Sequence, residues 1–167
     1  MTPVFLIGYM GSGKSTIGYE LSKMMKCSFL DLDLLIEEKV GMSISDMFDQ
    51  KGEFFFREKE RDVLTNYNFS SRSIIATGGG TPCFFGNQNF MNSIGHTIYL
   101  KISYHALVNR LKDDKKRPLL YNQKLKLEEF VFKEISERAE YYENSHYVIE
   151  SDNILISQVQ EIINKIR

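Results

Sequence analysis

The chain contains few of the residues that staple small proteins together or ligate metals. Its 167 residues include two cysteines, three histidines, three prolines and no tryptophan. Cys27 and Cys83 form no CxxC pair, so we expect no disulfide framework, and a reducing cytoplasm suits the composition. His96, His105 and His146 are scattered without metal-ligand spacing, which argues against a structural zinc site.

The chain also lacks an excess of either charge and any long apolar run. Lys and Arg number 21 against 22 Asp and Glu, for a formal net charge of −1. Balanced charge disfavours a basic surface for nucleic acid or anionic lipid. No apolar run approaches the ~20 residues of a membrane span, and no basic segment opens the N-terminus as in a signal peptide. We therefore expect a cytoplasmic protein with no nucleic-acid or membrane partner, and the absence of an apolar heptad seam favours a monomer.

Short apolar runs alternate with longer amphipathic segments along the chain. The short runs predict five strands, at residues 4–7, 28–32, 73–77, 97–100 and 146–149. The longer segments predict helices at 14–26, 34–40, 52–67, from about 103, at 127–142 and at 154–166. Such alternation indicates an α/β fold whose parallel sheet carries helices on both faces. Because no linker or repeat interrupts the pattern, we expect one domain over residues 1–167.

Residues 8–15 carry the clearest motif. Their sequence, GYMGSGKS, matches the phosphate-binding pattern GxxxxGK[ST]. Glycines let backbone N–H groups approach phosphate oxygens, and the N-terminus of the next helix adds positive charge. An apolar strand before the motif and an amphipathic helix after it favour nucleotide binding over an accidental Gly-rich turn. In this pattern the Lys14 ammonium reaches the β- and γ-phosphates, and the Ser15 hydroxyl ligates Mg²⁺.

Two carboxylates, Asp31 and Asp33, end the second predicted strand. Alternation along a strand would place both on one face, at the sheet edge where α/β proteins bind ligands. They could support Mg²⁺, orient a substrate hydroxyl or accept its proton. The alternative is that Asp33 merely caps the following helix. Residues 74–77 end without the acid that usually helps to hold Mg²⁺ in this class, so Asp31 is the best candidate for that role.

Two arginines have positions that suggest anion binding. Arg138 shares the apolar stripe of a predicted helix, so it needs an anionic ligand or a partner such as Glu134. Arg57 has Glu53 four residues before it and Glu60 three residues after it. These glutamates form either a plain surface ion-pair lattice or a rigid mount that aims Arg57 at a carboxylate.

Two loops also carry candidate ligand-binding groups. Gly78, Gly79 and Gly80 directly follow the third predicted strand and could let a ligand approach bare backbone N–H groups, unless they form an ordinary flexible loop. Arg117 lies in a charged run that ends at Pro118. That run is either a solvated surface segment or a mobile loop whose arginine closes over the phosphates.

In this order the motifs resemble those of shikimate kinases, which are nucleoside-monophosphate-kinase-like P-loop enzymes. The resemblance covers essentially the whole chain. It rests on GYMGSGKS at 8–15, DLD at 31–33, RxxE at 57–60, TGGG at 77–80 and RPLL at 117–120. The phosphate loop alone is not specific, whereas the ordered set is. The resemblance implies a three-layer α/β/α fold, a five-stranded parallel sheet of order 2-3-1-4-5, a lid at about 111–124 and substrate-binding helices at about 33–61.

The resemblance also implies ATP-dependent phosphorylation of the 3-hydroxyl of shikimate, in aromatic amino-acid biosynthesis. Asp33, Lys14 and Arg117 would be catalytic, with Asp33 as the base. ATP would contact Gly11, Ser12, Gly13, Lys14, Ser15, Thr16, Arg110 and Arg117, with Ser151 and Asp152 in the adenine loop. Shikimate would contact Asp33, Arg57, Gly79, Gly80 and Arg138. One Mg²⁺ would be held by Ser15 and, through water, by Asp31.

The sequence departs from the family pattern at two positions, and it leaves two alternative functions open. Pro82 stands where the family usually has an aliphatic residue, and Glu140 stands where it usually has proline, which affects local backbone geometry only. A gluconate or nucleoside-monophosphate kinase of the same fold is the closer alternative, although the paired aspartates and triple glycine better suit a polyhydroxylated acceptor. A GTPase-like switch is disfavoured, because the DxxG match at 49–52 follows no predicted strand and no NKxD motif occurs.

Overall fold

The computed structural model describes residues 2–112 and 127–166. Five parallel strands form one sheet in the order β2-β3-β1-β4-β5. The strands are β1 Val4–Ile7, β2 Ser28–Asp31, β3 Ser73–Ala76, β4 His96–Lys101 and β5 Tyr147–Glu150. The predicted α/β class and strand order are therefore confirmed. Arg117 and most of the predicted lid, about 111–124, lie outside the described residues.

Seven α-helices and one 3₁₀ turn connect and flank the strands in the described residues. The helices are α1 Lys14–Met25, α2 Leu32–Val40, α3 Ile44–Asn66, α4 Asn87–Ile94, α5 Tyr104–Leu111, α6 Leu127–Glu143 and α7 Ile156–Lys165, and the 3₁₀ turn is Thr81–Cys83. Within the described ranges, no helix has both the length and the apolar character needed to cross a membrane.

The two central strands form the middle of the core, and their register fixes the position of the site. Every residue of β1 and β3 is buried. Ala76 at the end of β3 pairs with Leu6 of β1 on one side and with Asp31 of β2 on the other. Because parallel strands end at the same edge, the segments that follow β1, β2 and β3 converge there.

The start of α2 corrects one expectation about the aspartates. The predicted helix 34–40 begins two residues earlier, at Leu32, so only Asp31 belongs to a strand. Asp31 is the N-cap residue, and its carboxylate accepts a hydrogen bond from the Asp33 backbone N–H at 3.1 Å. The alternative that Asp33 caps the helix is wrong. Both carboxylates still face one cavity, because the first helical turn rather than strand alternation places Asp33 there.

Two other helices differ from the prediction by more than one or two terminal residues. The helix predicted at 52–67 is the second half of α3, which starts at Ile44 with Ser43 as its cap and bends at Gly52, where φ is 84°. Glycine tolerates this conformation, so the residue taken for a helix start is a bend within a longer helix. Helix α4 was not predicted, because its eight residues, NQNFMNSI, include only three strongly apolar side chains.

The two departures from the family pattern fit regular structure. Pro82 is buried in the 3₁₀ turn, whose first residues tolerate a fixed φ and a missing N–H. Glu140 is exposed on α6, which continues without interruption to Glu143. Neither residue displaces a charged group of the site.

Gly95→Ala should destabilise the fold, because a Cβ at position 95 would collide with the Pro3 carbonyl oxygen and crowd the Phe5 ring. The Pro3 carbonyl already accepts the His96 N–H at 2.9 Å where β1 and β4 begin to pair, so it cannot retreat freely. We expect a loss of about 1–3 kcal/mol, measured by urea unfolding. The control Ser93→Ala, on the exposed end of α4, should change stability by less than about 0.5 kcal/mol. Equal stabilities of the two variants would contradict this packing argument.

Candidate active site

The phosphate-binding motif forms a tight loop between β1 and α1. Gly8, Gly11 and Gly13 all have positive φ, which curls the backbone of residues 8–15 inward. The Lys14 ammonium is buried in this loop and donates hydrogen bonds to the carbonyl oxygens of Gly8 and Tyr9, at 2.7 and 2.9 Å. The loop therefore holds a fixed positive charge next to the N-terminus of α1, as phosphate binding requires.

Predicted nucleotide, metal and acceptor groups line one cavity of about 410 Å³ beside this loop. The lining residues are Met10, Gly11, Gly13, Lys14, Ser15, Thr16, Asp31, Asp33, Thr77 and Gly79. Within it, the Ser15 hydroxyl donates to the Asp31 carboxylate at 2.6 Å. A hydroxyl and a carboxylate within hydrogen-bond distance of each other are the hard oxygen ligands that Mg²⁺ prefers, so this pair fits a magnesium ion.

Asp33 has the most perturbed electrostatic environment among the cavity carboxylates. Loss of solvent raises its pKa most, and the nearby carboxylates of Asp31 and Glu60 raise it further. Lys14 and Arg57 counteract this, and the pKa of Asp33 settles at about 6. A carboxyl group with this pKa is ionised at neutral pH yet basic enough to accept a proton.

Arg57 is clamped by its two glutamates. One guanidinium nitrogen donates to Glu60 at 2.9 Å, and two others donate to Glu53 at 3.1 and 3.2 Å. The Phe84 ring covers the guanidinium at 4.2 Å. Arg57 is 8% exposed and Glu60 fully buried, so the plain surface ion-pair lattice is wrong. The two glutamates hold the guanidinium in place, and its use in binding a carboxylate stays a prediction.

The triple glycine makes room for the site's own side chains. A Cβ at position 78 would lie 2.7 Å from an Asp33 carboxylate oxygen, and one at position 80 would overlap the Arg57 guanidinium. Gly79 lines the cavity between them. The loop is therefore packed against Asp33 and Arg57, and the alternative of an ordinary flexible loop does not apply.

Arg138 approaches the site from α6. It forms an ion pair with Glu134, the partner that the sequence offered, and lies over the Tyr9 ring at 5.5 Å. Burial alone would lower the pKa of Arg138, but Tyr142 and Glu134 raise it above its ordinary value. Arg138 is thus a permanent, partly buried cation close to the phosphate loop.

Arg110 connects the phosphate loop to the segment predicted to hold adenine. Its guanidinium donates to the Gly11 carbonyl at 3.0 Å and to the Asp152 carbonyl at 2.7 Å. The Asp152 side chain in turn accepts the Ser103 backbone N–H at 3.0 Å. The structure therefore brings Arg110 and residues 151–152 together at the rim of the phosphate loop.

The sequence did not indicate which groups hold Glu60, the buried partner of Arg57. The buried Thr81 hydroxyl donates to Glu60 at 2.6 Å, and the Asn87 side chain donates to the Thr81 carbonyl at 2.9 Å. Twenty-one residues separate Thr81 from Glu60. No local spacing rule covers such a separation, so only the fold reveals the contact.

The motifs, the strand order and this geometry agree with comparisons against known proteins. A sequence model of the family described as shikimate kinase matches residues 10–167. The chain belongs to the shikimate kinase family. The shikimate kinase of Flavobacterium psychrophilum is 44% identical to this chain, covering 99% of each chain. The shikimate kinase of Parabacteroides distasonis is 40% identical, covering 98% of this chain and 96% of the relative.

Solved structures of shikimate kinases have the same architecture. That from Bacteroides thetaiotaomicron superposes with a TM-score of 0.91 at 33% identity, covering 98% of both chains. The structure from Acinetobacter baumannii, in complex with shikimate, superposes with a TM-score of 0.87 at 33% identity. The match covers 99% of this chain and 93% of that structure's chain. A deoxyadenosine kinase from M. mycoides superposes with a TM-score of 0.59 at 19% identity, which shows a shared fold only.

Asp33→Asn should make the protein more stable above pH 7. Because folding raises the pKa of Asp33 from 3.8 to about 6, the folded state binds more protons than the unfolded state between those values. Its stability therefore falls as pH rises through that window. An uncharged Asn avoids this loss of stability. We therefore expect the free energy of unfolding to increase by about 1–3 kcal/mol at pH 8, which corresponds to a rise of about 2–12 °C in Tm.

The gain should vanish near pH 4, where Asp33 is already protonated in the folded protein. The control is Asp62→Asn, because Asp62 is an exposed carboxylate on α3. Scanning calorimetry at pH 8 and pH 4 compares the three proteins. A Tm for Asp33→Asn at or below that of the unmodified protein at pH 8 would show that Asp33 is not destabilised by burial.

Proposed function

We propose that this chain transfers the γ-phosphoryl group of ATP to the 3-hydroxyl of shikimate, giving shikimate 3-phosphate and ADP. The observation that carries the proposal is the position of Asp33, which shares one cavity with the phosphate loop and lies near the clamped Arg57. Family membership and the relative that binds shikimate support the choice of acceptor. A gluconate or nucleoside-monophosphate kinase is not favoured, because family and site point to the same acceptor.

In this proposal the phosphate loop and its lysine hold the ATP phosphates. Backbone N–H groups of residues 11–16 and the Lys14 ammonium would bind phosphate oxygens, and Arg110 with residues 151–152 would border the adenine. Ser15 and, through water, Asp31 would hold one Mg²⁺. When bound, that ion supplies positive charge against the phosphates.

Asp33 acts on the acceptor hydroxyl. Its carboxylate would accept a hydrogen bond from the 3-hydroxyl, hold that oxygen in line with the γ-phosphorus and take the proton as the new P–O bond forms. Lys14 would remain beside the transferred group and offset its negative charge. The raised pKa of Asp33 makes the carboxylate a stronger base than an ordinary surface aspartate.

Arg57 and Arg138 act on the carboxylate of shikimate. Each guanidinium presents a planar set of donors that matches a carboxylate, and both are already held by glutamates. Because the two guanidinium groups come from different helices, α3 and α6, they would fix the orientation of the acid as well as its position. The Gly79 and Gly80 backbone would complete the acceptor site.

The remaining assignments belong to the same proposal. Arg117, in a lid at about 111–124, would close over the phosphates and keep water from the transferring group. One kinase domain would span residues 1–167, with acceptor-binding helices at about 33–61. A cytoplasmic monomer without nucleic-acid or membrane partners remains the expectation from composition.

Asp33→Asn should slow shikimate phosphorylation by about 10²–10⁴-fold while ATP binding persists. Removing a general base costs typically about 10²–10⁴ in rate, and the Asp33 side chain is separate from the backbone loop that binds phosphate. A coupled ADP-release assay with shikimate, and calorimetric titration with ATP, measure the two properties.

The choice of acceptor is tested with the unmodified protein, by comparing shikimate, gluconate and AMP in the same assay. Faster turnover of gluconate or AMP than of shikimate would contradict the proposed acceptor.

Arg138→Ala should weaken shikimate binding, with ATP affinity within about twofold. Losing a hydrogen bond to a charged group costs about 1.5–3 kcal/mol, which corresponds to a rise of about 10- to 150-fold in KM for shikimate. The matched control is Arg72→Ala, since Arg72 is an exposed arginine outside the site. An Arg138→Ala enzyme whose KM for shikimate equals that of the control would remove Arg138 from the acceptor site.

The pH profile tests the proton-accepting role of Asp33. A base works only when deprotonated, and the pKa of Asp33 is about 6. We therefore expect kcat/KM for shikimate to be constant above about pH 7 and to fall about tenfold per pH unit below 6, since this parameter reports the free enzyme. Circular dichroism at each pH verifies that the protein stays folded. A profile that is flat down to pH 5 would exclude Asp33 as the base.

A further inference from the structure

Tyr142 is a buried residue with a polar contact far away in sequence. It lies on α6, four residues after Arg138, and its side chain is fully buried. Its ring packs against Tyr99 at 5.1 Å between centroids. Its hydroxyl donates a 2.6 Å hydrogen bond to the carbonyl oxygen of Gly79, 63 residues earlier. The side chain thus connects α6 to the triple-glycine loop.

This hydrogen bond fixes the orientation of one peptide group in the acceptor site. The Gly79 carbonyl and the Gly80 N–H belong to the same planar trans peptide and point in opposite directions. Anchoring the carbonyl to Tyr142 therefore turns the Gly80 N–H away from α6. Since a glycine pair has little intrinsic preference for one peptide orientation, an external anchor is what selects it.

The same hydroxyl interacts with Arg138. The phenol and the guanidinium affect each other's protonation, and Tyr142 is the largest of three contributors, with Glu134 and Cys83, that raise the pKa of Arg138. Burial raises the pKa of Tyr142 as well, so its hydroxyl keeps its proton and remains a donor to Gly79. One hydroxyl group is therefore hydrogen-bonded to Gly79 and electrostatically coupled to Arg138, two of the elements assigned to the acceptor.

A purely structural role for Tyr142 would need only the ring. Phenylalanine would fill the same volume against Tyr99, and a core position does not itself require a hydroxyl. The hydroxyl, however, reaches the one carbonyl whose orientation sets the Gly80 N–H. Its position is explained by what it does to the loop rather than by packing.

We propose that Tyr142 is a positioning residue for the acceptor: through its hydroxyl it orients the Gly79–Gly80 peptide and steadies Arg138, and so sets the affinity for shikimate without touching it. This inference rests on the proposed function. It predicts an effect confined to one of the two substrates, because within residues 2–112 and 127–166 the hydroxyl's recorded partners, Gly79 and Arg138, both belong to the acceptor site.

Tyr142→Phe tests the proposal, with Tyr99→Phe as the matched control. Each variant loses one phenol hydroxyl from the same buried ring pair, and only the first loses the contact with Gly79. We expect Tyr142→Phe to raise KM for shikimate about three- to tenfold, the usual effect of one lost hydrogen bond, while KM for ATP and kcat stay within about twofold. Calorimetric titration with shikimate alone should show the same weakening. Tyr99→Phe should leave both KM values unchanged.

The remaining outcomes count against the proposal. It is overturned if Tyr142→Phe leaves KM for shikimate unchanged, or raises the KM values for shikimate and ATP equally. It is also overturned if Tyr142→Phe fails to fold while Tyr99→Phe folds, because the hydroxyl would then be a structural requirement. If the unmodified protein does not phosphorylate shikimate, the proposed function fails and the inference with it. If that protein is active and only the Tyr142→Phe prediction fails, the proposed function stands.

Discussion

The site depends on one carboxyl group held where ionisation is costly. Asp33 lies where β1, β2 and β3 end, and its burial, with the nearby carboxylates of Asp31 and Glu60, raises its pKa to about 6. Parallel pairing of the three strands forces this convergence, since Ala76 pairs with both Leu6 and Asp31. Burying Asp33 among acids costs energy, and the same environment gives its carboxylate a higher proton affinity than an ordinary aspartate, which the proposed role of a base requires.

The groups around this carboxyl are held firmly by contacts that cross the fold. Glu60, fully buried, fixes Arg57 and is itself fixed by Thr81. Glycine at positions 78 and 80 is required because Asp33 and Arg57 occupy the space of a side chain. Phosphoryl transfer demands positioning and charge neutralisation more than covalent chemistry, and these are the properties that such a framework provides.

The sequence predicted the strands and the phosphate loop better than it predicted the helix ends. Continuous apolar residues predict buried strands such as β1, and the spacing of glycines and Lys14 predicts the phosphate loop. Both signals lie within a few neighbouring residues, so they can be found in the sequence. The start of α2 and the bend at Gly52 depend on caps and on a positive φ, which periodicity does not reveal. The Tyr142–Gly79 contact spans 63 residues, and the Glu60–Thr81 contact 21, so neither has a local signature.

In the proposed complex, a hydroxylated acid lies between Asp33 and two arginines, opposite a nucleotide in the phosphate loop. A crystal structure of the protein with ADP and shikimate tests it most directly. We expect the 3-hydroxyl of shikimate within hydrogen-bond distance of Asp33, and the carboxylate of shikimate against Arg57 and Arg138. Shikimate bound in another orientation, or at another place on the protein, would contradict it.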